Sequence, residues 1–65
     1  MRITYDSATD ILWIRLGAGK ISESDEVSAG LILDYDAEGQ VVGMEIHQAS
    51  VKIENPRAIE FAIAG

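Results

Sequence analysis

The sequence predicts a mainly β fold of the α+β kind: an antiparallel sheet of two pseudo-repeated β-hairpins, with a short helical turn and a C-terminal strand or helix. Three observations predict it. ITYDSATDILWIRL, starting at Ile3, lies over LDYDAEGQVVGMEI, starting at Leu33, without a gap, an internal echo at an offset of 30 residues. Each copy reads strand, polar turn, strand, with Asp, Ser, Glu and Gly in the turn and β-branched or aromatic residues alternating on both sides. After His47 the alternation stops and a run suited to one helical turn begins.

In the first hairpin Tyr5 is expected to pair with Leu12, and in the second Tyr35 with Val42. Slipping a strand by one residue would exchange its two faces, so the apolar pattern tests this register. One face then collects Ile3, Tyr5, Leu12, Ile14, Leu16, Leu31, Leu33, Tyr35, Val42, Met44 and Ile46. The opposite face is mixed, with Arg2, Thr4, Arg15, Asp34, Gly43, Glu45 and His47 around an apolar centre of Ile11, Trp13, Ile32 and Val41. A hydrophobic centre on a half-polar face is expected to be covered.

Between the hairpins, Gly17-Ala18-Gly19 is a flexible loop and residues 20–27 are a polar stretch of weak alternation. Its charge over 23–26 fits a protected edge strand and a solvated loop equally well. Ser28-Ala29-Gly30 turns the chain back. Residues 48–53 fit a turn of helix, and Asn55-Pro56 is a turn signal as well as an N-cap followed by Pro. In 57–64 the alternation of Ile59, Phe61 and Ile63 with Glu60, Ala62 and Ala64 favours a strand, while the alanines favour a helix; the strand is preferred. Phe61 and its neighbours are the expected cover for the Trp13 face, from within the chain or from a second subunit.

At 65 residues the chain holds one small domain, spanning 1–65, and such a domain buries little apolar surface. With no Cys and one His, neither a disulfide framework nor the usual zinc ligand sets are available. Self-association is the remaining reinforcement, and a homo-oligomer, a dimer or larger, is expected. Five Lys and Arg against eleven Asp and Glu give a net charge of −6, which disfavours nucleic acid; solubility alone accounts for it, and among partners it favours a small basic protein. No signal-peptide pattern or membrane-spanning run is present, so a cytoplasmic protein without membrane association is expected.

Asp34-Tyr35-Asp36-Ala37-Glu38-Gly39, with Glu45 beyond, follows D-x-D-x-E-G-x5-E, close to a calcium-loop pattern. That makes Asp34, Asp36, Glu38 and Glu45 the candidate metal ligands, but a calcium loop needs flanking helices and these flanks alternate as strands. An acidic β-turn is the preferred reading, with no metal and no cofactor expected. His47 shares a strand face with Glu45 and Asp34, the composition of a general base with an orienting carboxylate. A lone His at a strand end is more often an exposed or core-edge residue. Asp6 with Asp10 is a further carboxylate pair in a turn, where Asp is common for backbone reasons. Trp13 beside Arg15 has the make-up of a binding hot spot.

ITYDSATDILWIRL, the acidic ESDEV, GLILDYDAEGQVVGMEI and the following Ala49-Ser50 together resemble the small prokaryotic domain-of-unknown-function family 2283, over Arg2 to Ser50. The resemblance implies a compact bacterial or archaeal domain with no established activity, associated with small toxin-like proteins in the manner of an antitoxin, and it assigns no catalytic residues. The expected function is a non-enzymatic interaction module using Ile11, Trp13, Ile32, Val41 and Phe61. The alternative is a metal- or His-dependent enzyme using Asp34, Asp36, Glu45 and His47.

Overall fold

The computed structural model describes residues 1–65. Its elements are β1 (Arg2–Asp6), β2 (Ile11–Arg15), β3 (Glu23–Ser28), β4 (Leu31–Tyr35), β5 (Val41–His47) and α1 (Ala49–Lys52). The strands form one open antiparallel sheet in the order β1-β2-β5-β4-β3. Both expected hairpins are present, and they join through their second strands.

This junction makes the echo a near two-fold. Ile14 lies opposite Met44 across β2 and β5, and these two residues are also equivalent in the 30-residue offset. The local axis therefore passes between them. Leu12 opposite Ile46 has as its image Leu16 beside Val42, whose carbonyl accepts from Leu16 N at 2.9 Å. The two best-buried large side chains are another such pair, Leu12 at 3% and Val42 at 7% exposure.

The two turns share one side-chain hydrogen bond, although the left-handed residue is Asp10 in the first and Gly39 in the second. Asp6 Oδ1 accepts from Ala8 N at 3.0 Å, and its equivalent Asp36 accepts from Glu38 N at the same distance. Asp36 Oδ1 also accepts from Gln40 N at 2.9 Å. Asp at this position closes the turn by binding its own backbone two residues on.

The first hairpin has the expected register, Tyr5 opposite Leu12. The second departs from it at its tip. Leu31 to Asp34 pair as expected, but a register shift at Asp34 and Tyr35 sets Tyr35 opposite Val41 rather than Val42. One extra residue on one strand is a β-bulge, and it breaks the alternation on which the face assignment rests. Val41 thus stands opposite a residue of the other face and does not extend the Ile11, Trp13, Ile32 row.

Of residues 20–27, which fit strand and loop equally well, 23–27 lie in β3 together with Ser28, a residue expected in the turn, while 20–22 are not strand. The edge strand β3 pairs with β4 and carries Glu23, Asp25 and Glu26. Its turn needs Gly30, which has φ +74° and lies where a Cβ would run into Lys52 Nζ and sit 3.3 Å from His47 Cβ. Lys52 Nζ instead donates to Ala29 O at 2.8 Å, fastening α1 to this turn.

The C-terminal expectation is corrected. Residues 58–65 are neither strand nor helix, and the last backbone hydrogen bond runs from Ala58 N to Asn55 O. Asn55 Oδ1 accepts from Arg57 N at 3.1 Å, so Asn55-Pro56 makes a turn that does not propagate into a helix. A strand needs a partner edge, and within this chain the segment has none. Phe61 is 79% exposed, so the chain's own tail does not cover Trp13. The segment begins on the other face, where the Arg57 guanidinium lies 5.6 Å from the centre of the Tyr5 ring.

Candidate functional site

The four metal candidates are drawn to different tasks. Asp36 closes the second turn. Asp34 Oδ1 accepts from Ser24 Oγ at 2.6 Å across the β3–β4 pair. Glu45 Oε1 accepts from His47 Nε2 at 2.7 Å. Glu38 is exposed at the turn tip. No three His, Asp or Glu side chains converge as a ligand set.

His47 and Glu45 do come together, on the one strand face that their two-residue spacing gives them. Across the β2–β5 pair His47 stands opposite Ile11 and Glu45 opposite Trp13, and Ile32 lies opposite Glu45 on β4. Ile11, Trp13 and Ile32 are half-buried, so the pair rests on an apolar strip. The strip is flat. The one surface concavity is lined by Glu54, Asn55, Ala58 and Glu60 and includes neither member of the pair.

The densest polar network was not legible in advance. Asp10, in the left-handed region at φ 57°, accepts from Tyr5 Oη at 2.7 Å, from Ser50 N at 2.9 Å and from Ser50 Oγ at 2.6 Å. Its carbonyl also accepts from Ala49 N at 2.9 Å. The first N–H groups of a helix have no partner within it, and Gln48 gives α1 no side-chain cap. Asp10 supplies that cap from 40 residues away, and Ala49 beneath it is wholly buried. The acidic Asp6 and Asp10 are therefore not an acid–base pair: one closes a turn and the other locks the first hairpin to α1.

The Ser50 hydroxyl, the Tyr5 hydroxyl and the Ser50 N–H, in that order, hold the Asp10 carboxyl below its ordinary 3.8, against a small opposing effect of burial. The same bond to Asp10 raises the Tyr5 phenol above 10.0. A depressed acid stabilises the fold above its unfolded value, and that contribution is lost as pH falls through the lower folded value. A raised phenol stabilises below 10.0, and its contribution is lost as pH rises through the higher folded value. Urea midpoints measured from neutral pH downward should therefore fall at acid pH less steeply in Asp10→Asn than in the wild type, since the variant has lost this titration. Equal slopes would refute a structural role for the Asp10 carboxylate.

Fold and site together define a small open-sheet β protein in which Asp6, Asp36 and Asp10 bind its own turns and the junction to α1. The chain belongs to the family described as "Protein of unknown function (DUF2283)", which matches residues 2–50. The match ends at Ser50, the last residue held by Asp10. No curated protein and no solved structure matches the chain. No helix is long and apolar enough to cross a membrane.

Proposed function

We propose that this chain is a non-enzymatic, self-associating interaction module, antitoxin-like in that its acidic surface neutralises a small basic protein in the cytoplasm. The observation that carries the reading is the unburied surface. A folded monomer of 7.0 kDa is expected to expose about 4000 Å². This chain exposes 4871 Å², with only five residues buried and no second layer over the sheet. The excess of about 870 Å² is close to what one partner contributes to a standard protein interface, about 800 Å². The net charge of −6, with Glu23, Asp25 and Glu26 on the β3 edge, favours a basic partner and would speed its encounter.

The His47 and Glu45 bond is the one observation favouring the enzymatic alternative. Purification at native expression, followed by light scattering and mass spectrometry, separates the readings. An interaction module elutes as an assembly of at least twice 7.0 kDa that His47→Ala leaves unchanged; a stoichiometric small basic protein in it supports the antitoxin-like role, and an assembly of this chain alone sinks that role and leaves self-association. Elution of a lone monomer would sink the proposal.

A further inference from the structure

Self-association, the reading on which this inference rests, leaves open which surface a second copy takes. We infer that residues 59–63 of one copy add as a sixth strand to the free edge of β1 in a second copy, giving a reciprocal dimer.

The sheet has two edges, β1 and β3. In the near two-fold, β1 corresponds to β4, and the outer edge of β4 is already paired with β3. The matching place beside β1 is vacant. Exposed edges of this kind accept extended segments through backbone hydrogen bonds, with alternate side chains giving specificity.

Ile59-Glu60-Phe61-Ala62-Ile63 has the composition and period of a strand and matches the five residues of β1 in length. Ile59, Phe61 and Ile63 are 51%, 79% and 84% exposed, so half or more of each apolar side chain is left in solvent. Arg57, stacked over Tyr5 of β1, starts the segment on the β1 side of its own sheet, close to any copy docked there.

Charge selects β1 over β3. Arg2 stands opposite Arg15 on one face, and like charges placed directly across a strand pair repel. No Lys or Arg lies within ion-pair distance of a carboxylate, the one such contact being the hydrogen bond of His47 to Glu45, so neither arginine has a carboxylate partner. If Ile59, Phe61 and Ile63 join the face of Ile3 and Tyr5, alternation puts Glu60 on the face of Arg2. At the β3 edge the same glutamate would meet Glu23, Asp25 and Glu26.

Light scattering on the full chain over a concentration series tests this. Phe61→Glu, at a side chain exposed in the single chain, is expected to abolish the dimer and return the mass to 7.0 kDa, with a far-ultraviolet circular dichroism spectrum that keeps the five-stranded sheet and loses only the contribution of the added strand. Arg2→Glu and Glu60→Arg should each weaken the dimer about fivefold, and the double variant should restore it. A dimer that survives Phe61→Glu, or a double variant no tighter than either single, overturns the strand addition and leaves self-association standing. A monomeric wild type overturns both.

Discussion

Leu12→Ala is expected to cost about 2–5 kcal/mol, the range for truncating a buried leucine. A domain of 65 residues at about 0.05–0.15 kcal/mol per residue has roughly 3–10 kcal/mol in all. The substitution therefore removes a large share of the stability. Leu12 stands between Tyr5 of β1 and Ile46 of β5, and nothing on a single open sheet can collapse into the space it leaves. Val42→Ala at the image position removes two carbons rather than three and should cost about two-thirds as much. Phe61→Ala is the control. Although Phe61 is bulkier than leucine, its exposure predicts a change within about 0.5 kcal/mol for the dissociated chain. Urea unfolding followed by circular dichroism reads all three. A Leu12→Ala midpoint no lower than that of Phe61→Ala would mean that the sheet is not held by this pair.

That ranking was only partly visible in the sequence. Side-chain period fixes which face a residue occupies, so Leu12 and Trp13 were separable from alternation alone, and the β1–β2 register followed. Period does not reveal a bulge, because one extra residue satisfies the hydrophobic pattern on both sides of it; hence Val41 was placed in the wrong row. β3 has too little alternation to declare itself, and what makes it a strand is β4, with Ile32 opposite Glu26. The tail failed in the other direction. It carries a strand's period, yet a strand is defined by its partner, and none is present in this chain. The bond from Asp10 to Ser50 spans 40 residues and has no local signature, although Asp in a turn and Ser in a helical turn are each ordinary. The His47 and Glu45 contact was legible because two residues apart on a strand is the one spacing that guarantees a shared face.

Gly43→Ala should destabilise the fold by about 1–3 kcal/mol, the usual cost of forcing extra atoms into a packed position. Taken alone, replacing glycine by alanine within a strand would stabilise by restricting the unfolded chain. Position 43 reverses that sign because Asp34 lies over it: an added Cβ would sit 2.8 Å from Asp34 Oδ2 and 3.4 Å from Asp34 Cβ. Asp34 cannot swing aside freely, since Ser24 Oγ holds its other oxygen at 2.6 Å. The echo makes the point sharper. The equivalent of Gly43 is Trp13, the largest residue type at one half-site and the smallest at the other, so the near two-fold of the backbone is broken on this face. Across β2 and β5, Trp13 stands opposite Glu45 while Gly43 stands opposite Arg15, and the carboxylate of Asp34 occupies the room that a side chain at 43 would need. The test is a double-mutant cycle with Asp34→Ala. If the clash with Asp34 is the cause, Gly43→Ala should cost little or nothing in the Asp34→Ala background, with a coupling of about 0.5–3 kcal/mol. Additive effects would show that glycine is required here for a reason other than Asp34.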